Sequence, residues 1–232
     1  YDIRGIVEHA LTPEAVENIG HAIGSEAVAR QQKEVAIGRD GRASGPQLLE
    51  ALARGLRKSG VNVVDVGMVA TPMVYFTTYA LQTHSGVMVT GSHNPPEYNG
   101  LKMMLAGETL AGDAIQALRQ RILSGGLTHG SGSYRTRDIR ESYLSRIAGD
   151  IKLTRPVRIA VDCGNGVAGA FAPELYRRLG CEVEELFCEV DSRFPNHHPD
   201  PSQPKNLQDL IAALKSGKAE LGLAFDLSLI HI

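Results

Sequence analysis

An excess of either charge is missing from this sequence. Its 24 lysines and arginines nearly balance 26 aspartates and glutamates, for a formal net charge of -2, with the two signs interspersed. That balance excludes the basic surface of a nucleic-acid binder, a polybasic membrane patch and an acidic tail. Long apolar runs are missing too: none approaches the ~20 residues that cross a bilayer. No signal peptide is visible. Cysteine is scarce, with three residues, Cys163, Cys181 and Cys188. An odd number without C-x-x-C spacing argues against a disulfide framework and against a zinc site. The expected state is reduced thiols in the cytoplasm, with Cys163 and Cys181 packed as small apolar groups. A leading methionine is absent as well. The chain opens on Tyr1, which puts the expected true N-terminus upstream.

What is present is ordinary globular material: 232 residues, 43% hydrophobic and 22% charged. That length supports one or two domains with a real core. Residues 34–37 form a short apolar run ending at Gly38. Residues 46–58 then follow a helical period, with Leu48, Leu49, Leu52 and Leu56 on one face and Glu50, Arg54 and Arg57 opposite. Pro46 suits the first turn and Gly60 the stop. Strands are expected over 61–66, 86–90 and 101–105, the last turned by Asn99-Gly100. Helices are expected over 72–82 and 113–124. The Gly/Ser-rich stretch 124–133 reads as a loop and the first domain boundary, giving domains over 1–136 and 137–232. A connecting helix over 137–149 precedes a restart of the pattern: strand 156–161, helix 170–179, stop at Gly180, strand 182–187, helix 207–215 and strand 219–225. Arg-rich helix ends close on Gly60 and on Gly180, a weak internal repeat of one α/β unit. The fold class expected is α/β: two similar domains, each with a mixed, mostly parallel sheet layered by helices.

The most informative residues are Thr90-Gly-Ser-His-Asn-Pro95. They follow the apolar run Gly86-Val-Met-Val89 and precede Pro96-Glu-Tyr-Asn-Gly-Leu-Lys102. The layout is a buried strand that stops abruptly and presents a hydroxyl on a tight loop. Most loop serines only cap a nearby amide. A serine hydrolase would place glycine two residues before and after the nucleophile; here those positions are Thr90 and Asn94. A phosphoryl group on Ser92 would bring nearly two negative charges, which local donors and a cation would offset.

The run 86–102 resembles the active-site loop of the α-D-phosphohexomutases, most closely their bacterial phosphomannomutase/phosphoglucomutase group. Tyr1-Asp-Ile-Arg-Gly5, Gly38-Arg-Asp-Gly-Arg42, Asp162-Cys-Gly-Asn-Gly166 and Phe194-Pro-Asn-His-His-Pro-Asp-Pro201 extend the resemblance from Tyr1 to Asp226. That is about the first half of the family's four-domain protein. The resemblance implies reversible phosphate transfer between C1 and C6 of a hexose phosphate, mannose or glucose, through a 1,6-bisphosphate. Ser92 carries the phosphoryl group. Lys102 is a general acid/base candidate and His93 stands beside the phosphoserine. Lys102 is the stronger candidate, because an ammonium desolvated in a cleft can have its pKa lowered to catalytic use. Tyr1 and Arg4 are implied cleft residues. Arg39 and Arg42 sit at a strand end, where they could hold the Ser92 loop or a phosphate; Asp40 is read as an arginine's partner. The implied cofactors are Mg²⁺ and, as activator, glucose 1,6-bisphosphate. The implied partner is a hexose phosphate, with no nucleic acid and no membrane.

Three features complicate this reading. Gly164-Asn-Gly-Val-Ala-Gly169 fits G-x-G-x-x-G, with Glu184 and Glu185 about 20 residues on, as a dinucleotide fingerprint asks. Beside the Ser92 loop, a packing turn is the better reading, and a dinucleotide-binding oxidoreductase fragment is the alternative. His197 and His198 lack the i, i+4 spacing of a helical metal pair, so a structural role at the domain junction is expected. The family's metal loop carries three alternating aspartates; here Asp226 is followed by Ser228 and Ile230 where the others belong, and by His231 where an arginine belongs. Ser92 and Asp226 are thus the metal ligands left. The stretch 227–232 reads as truncation or a frame change. The isolated chain is expected to turn over little, and a non-catalytic phosphosugar-binding fragment is a further alternative.

Overall fold

The structure, a computed structural model, describes residues 2–227. Contacts divide the chain into two compact units, Tyr1–Asp138 and Ile139–Ile232.

The first unit runs β1 (Ile3–Ile6), α1 (Pro13–Ala29), β2 (Glu34–Arg39), α2 (Gly45–Lys58), β3 (Asn62–Met68), α3 (Thr71–Ala80), β4 (Gly86–Val89), β5 (Tyr98–Leu105), β6 (Glu108–Thr109), α4 (Asp113–Leu123) and β7 (Tyr134–Thr136). Its sheet is ordered β1-β5-β4-β2-β3-β7, with β6 on β5. The centre is parallel, β4, β2, β3 and β7 running together, and β5 is antiparallel to both β4 and β1. Central β4 is buried along its whole length, as a parallel strand covered on both faces must be.

Four elements here, β1, α1, β6 and β7, are unannounced by sequence pattern. The buried side of α1 includes Gly20, Ala22, Gly24, Ser25 and Ala27, small residues that give little apolar periodicity. Their value is close approach. A Cβ on Gly55 of α2 would stand 2.1 Å from Glu17 O, and one on Gly20 would stand 2.7 Å from Leu52 O. The helix is started by Thr12, whose Oγ1 accepts the Ala15 N–H at 3.1 Å, with Pro13 in the first turn, a standard N-cap. Strand β1 explains a second difference. Asn99-Gly100 is not a turn before the strand but lies inside β5, with Gly100 opposite Arg4. A Cβ at Gly100 would meet Ile3 O at 2.5 Å, so the glycine serves strand packing.

The second unit runs α5 (Arg140–Asp150), β8 (Arg158–Asp162), a 3-10 turn (Val167–Ala170), α6 (Ala172–Arg178), β9 (Glu182–Leu186), a second 3-10 turn (Pro204–Leu207), α7 (Gln208–Lys215) and β10 (Leu221–Ala224). Its sheet, ordered β10-β8-β9, is wholly parallel. One buried cluster in it is Ile159, Val161, Cys163, Ala168 and Ala172, with Val157, Tyr176, Cys181, Val183, Cys188, Leu223 and Phe225 packed partly buried against them, and Leu144, Ala160, Val167, Phe171 and Leu210 are buried as well. The repeat in sequence is a repeat in structure. The steps β2–α2–β3 and β8–α6–β9 both join parallel neighbours, and both helices stop before a glycine at positive φ, Gly60 at +97° and Gly180 at +89°.

Candidate active site

Strand β4 ends at Val89 and delivers Thr90, Gly91 and Ser92 beyond the sheet. Ser92 has φ +51°, a left-handed conformation that costs a non-glycine residue of order 1 kcal/mol. The surroundings hold it there. Ser92 N–H donates to Thr90 Oγ1 at 3.0 Å, and that hydroxyl donates to Asp40 Oδ2 at 2.7 Å. Asp40 Oδ1 accepts the Arg42 N–H at 3.0 Å. The Arg42 guanidinium lies under the loop and is 1% exposed. Its Nη2 donates to Ser92 O and Asn94 O, both at 2.6 Å, and its Nη1 to Pro95 O at 2.7 Å and Tyr98 O at 3.0 Å. Gly91 makes room: a Cβ there would stand 2.6 Å from Arg42 Cζ. Burial pushes the Asp40 carboxyl above its ordinary pKa, while Arg42, Thr90 and the backbone N–H groups of Arg42 and Gly91 pull the other way.

A second network crosses the sheet edge. Asp2 lies one step beyond the Ile3–Leu101 pair, beside Lys102. Its Oδ2 accepts from Arg4 Nε at 2.9 Å and stands 3.2 Å from Lys102 Nζ. Arg4 Nη1 donates in turn to Asn94 Oδ1. One carboxylate therefore links β1, β5 and the serine loop. Lys102, largely shielded from solvent, is thus an ion-pair partner of Asp2.

The sequence-derived candidates divide accordingly. Ser92, Lys102, Arg4 and Arg42 come together around the 90–98 loop. Ser92 is buried, at 5% exposed, but among polar groups. His93 is exposed next to it. Arg42 supports the loop from within, and at 1% exposure its guanidinium is not placed as a substrate ligand. Arg39 parts from it. Arg39 Nη1 donates to Asp40 O at 3.0 Å, and the side chain lines a cavity of about 590 Å³ with Pro46, Leu49, Arg57, Asp65 and Tyr134, none of them from the serine loop. Tyr1 lies outside the described residues. Asp2 and Thr90 were missed; Asp2 sits inside a quoted motif, yet nothing in a single carboxylate's sequence position reveals that it bridges two cations.

In the second unit, β10 delivers half-buried Asp226 to its end, after Phe225 N–H has donated to Asp162 O at 3.0 Å. Ser228, Ile230 and His231 lie outside the described residues. Among the described residues no group of three His, Cys, Asp or Glu side chains is arranged to hold a metal. The glycine motif is a packing turn. Gly164, at φ +50°, is crowded by Pro199 and His197, and a Cβ on Gly169 would stand 1.8 Å from Cys188 O. His197 is held at this turn. Its Nε2 stands 3.0 Å from Asp162 Oδ2, and Asp162 Oδ1 accepts the Gly164 N–H at 2.9 Å.

Comparison with known proteins agrees with this architecture. Residues 1–128 match the family described as phosphoglucomutase/phosphomannomutase, alpha/beta/alpha domain I, and residues 141–227 match domain II of the same description. The folds are thus those of phosphohexomutase α/β/α domains. The chain belongs to the phosphoglucomutase/phosphomannomutase family. It is 59% identical over 228 residues to a phosphoglucomutase of Neisseria meningitidis serogroup B, covering 97% of this chain and 50% of that protein. It is 56% identical over 226 residues to a phosphomannomutase/phosphoglucomutase of Pseudomonas aeruginosa, covering 97% and 49%. A crystal structure of a phosphoglucomutase/phosphomannomutase family protein from Burkholderia thailandensis superposes with a TM-score of 0.95 at 52% identity, covering 98% of this chain and 52% of that one. The chain spans about half the length of these relatives.

Proposed function

We propose that this chain supplies the phosphoryl-carrying site of a phosphohexomutase that interconverts hexose 1-phosphate and hexose 6-phosphate, glucose or mannose, through a 1,6-bisphosphate. The observation that carries the proposal is Ser92, turned into a left-handed conformation at the tip of β4 and locked by Arg42 through four carbonyls. A carrier serine must present one oxygen in one place through two opposite transfers, and a loop fixed from beneath by Arg42 holds its backbone in one place.

The chemistry assigned to the chain is a displacement at phosphorus. A sugar hydroxyl attacks the phosphoryl group on Ser92, the bond to Oγ breaks, and the hydroxyl proton passes to a neighbouring base. The bisphosphate then returns its other phosphate to Ser92. Lys102 and His93 are the proposed proton carriers, and Asp2 orients the Lys102 amine. Arg4, tied to Asp2 and Asn94, is proposed to meet the sugar phosphate together with Tyr1.

Asp226 and the phosphoryl oxygens of Ser92 are the donors proposed for Mg²⁺. One carboxylate with Ser228 and Ile230 at the following alternate positions does not make the oxygen set that a divalent cation favours, and no step above runs through a metal. Glucose 1,6-bisphosphate is proposed as the activator that loads Ser92. The domains are proposed as 1–136 and 137–232. A cytoplasmic setting is proposed from the three free cysteines.

The test is loading. Purified chain incubated with glucose 1,6-bisphosphate is expected to gain one phosphoryl group by intact mass, mapped to Ser92 and absent from Ser92→Ala. A phosphoryl group elsewhere, or none on correctly folded chain, would sink the assignment.

A further inference from the structure

The second unit holds two thiols that phosphoryl transfer does not use. Cys163 follows β8 directly and Cys188 lies just after β9. The parallel register sets Asp162 opposite Leu186, and Cys163 N–H donates to Leu186 O at 3.0 Å. Simple alternation would then set Cys163 beside Phe187 and turn Cys188 to the other face. Phe187 breaks that alternation, with φ at +51°, a conformation that a bulky residue rarely adopts. The consequence is that Cys188 Sγ stands 3.3 Å from Cys163 Sγ. Cys163 is fully buried and Cys188 half-buried.

The surroundings hold this meeting in place. The Cys188 carbonyl fits against Gly169, where a Cβ would come within 1.8 Å of its oxygen. Cys188 Sγ also lies 3.4 Å from Leu186 O and 3.6 Å from Val161 O. Cys181 sits before the opposite end of β9 and has no part in the pair. The left-handed Phe187 and the third glycine of G-x-G-x-x-G thus share one effect, which is to bring the two sulfurs together.

We propose that Cys163 and Cys188 form a reversible disulfide site, closed by a hydroperoxide. The sulfur of Cys188, the less buried of the two residues, attacks one peroxide oxygen. The O–O bond breaks, and hydrogen peroxide leaves one oxygen on sulfur as a sulfenic acid and releases the other as water. The Cys163 sulfur then attacks Cys188 Sγ. An S–S bond forms, the S–O bond breaks, and the departing hydroxide takes the Cys163 proton as a second water. Two electrons pass from the two sulfurs to one peroxide. The Cys188 sulfur beside it and burial both push the Cys163 thiol pKa up, so Cys163 keeps its proton until the second step. The bridge ties the end of β8 to the segment after β9. Strand β10, which carries Asp226 at its end, pairs with the other side of β8. This proposal stands independently of the mutase reading.

The experiment uses the full chain, reduced, treated with hydrogen peroxide, alkylated and digested without reductant. The expected result is loss of two of the three alkylatable thiols, a Cys163–Cys188 linked peptide, Cys181 still alkylated, and full recovery with dithiothreitol. Cys163→Ser is expected to stop Cys188 at the sulfenic acid, captured by dimedone. Cys188→Ser is expected to leave Cys163 alkylatable after denaturation, and serves where the buried substitution fails to fold. Links through Cys181, oxidation of Cys188 to sulfinic acid with no linked peptide, or a linked peptide that forms equally in urea-unfolded chain would each overturn the site.

Discussion

The two units repeat one strand–helix–strand step but hold it together in different ways. In the first, α2 buries Leu48, Leu49, Leu52 and Leu56 with Ala51 and Ala53 beside them, and it rests on a wide sheet. In the second, α6 buries only Ala172 and Pro173, and β9 has no fully buried residue. Charge on the surface does more there. Arg178 grips Glu141 through two bonds of 2.8 Å and also pairs with Glu174, which Arg140 meets from α5. The first unit keeps its key ion pair inside instead, with Arg42 Nε 3.5 Å from Asp40 Oδ2 and both side chains essentially sealed from solvent. A wide apolar interior can afford a buried charge pair and use it to fix a loop. A three-stranded unit with little to bury relies on pairs that water and salt weaken.

The largest test of this contrast is Arg42→Met. It leaves Asp40 sealed without its cation and four loop carbonyls without their donors. Removing one partner of a buried pair costs about 3–5 kcal/mol, so urea unfolding of the first unit should shift by that amount and Ser92 loading should collapse. A loss below about 1 kcal/mol would mean that the loop is held by something else. Next in size is Gly169→Ala. Its Cβ would come within 1.8 Å of Cys188 O, backbone against side chain, so the cost lies near the upper end of overpacking, about 3 kcal/mol. It should fall on the second unit alone, read by hydrogen exchange across 139–227.

How much of this was legible in the sequence follows from the same physics. Helix 46–58 was readable because its leucines make one wide apolar stripe, and Ser92 because a strand stops at a six-residue loop of distinctive chemistry. Helix α1 was not, since Gly20 and Gly24 lower helix propensity while serving a close contact that exists only once α2 is present. Asn99-Gly100 reads locally as a turn, yet β1, distant in sequence, makes it strand. Arg39 and Arg42 look equivalent in Gly38-Arg-Asp-Gly-Arg42, but Arg39 closes β2 and lines a separate cavity, while Arg42 follows the turn and lies inward under the loop. Cys163 and Cys188 are 25 apart in number, and only the left-handed Phe187 joins them.

A smaller effect separates support from chemistry within the first unit. Thr90→Val removes a hydroxyl that donates to Asp40 and accepts from Ser92 N–H. Ser92 N–H loses its acceptor and Asp40 one of its donors, and an unsatisfied buried group costs about 1–3 kcal/mol. The expected outcome is a modest loss of stability with a larger loss of Ser92 loading, because the φ of Ser92 is what relaxes. Equal losses in both would assign Thr90 to stability only.

The smallest effect distinguishes the units by acid. Arg178, with help from Ser145, holds Glu141 down at about 2, against an ordinary 4.5. Arg193 holds Asp191 down at about 2 as well, and Arg140 and Arg178 lower Glu174. A carboxyl whose folded pKa lies below its unfolded value contributes stability above the unfolded value and loses it as pH falls toward the folded one. The second unit should therefore loosen between about pH 4.5 and pH 2. Glu17 and Glu26 act in the same sense on the first unit, while Asp40 in the first unit and Asp162 in the second, both raised chiefly by burial, have the opposite sign and favour the folded state as pH drops. Hydrogen exchange at falling pH should open 139–227 before 2–138. Glu141→Gln should flatten the acid response of the second unit, and 1 M salt, with a Debye length of about 3 Å, should mimic part of it at neutral pH. If the first unit opened first, surface charge would not be what holds the second together.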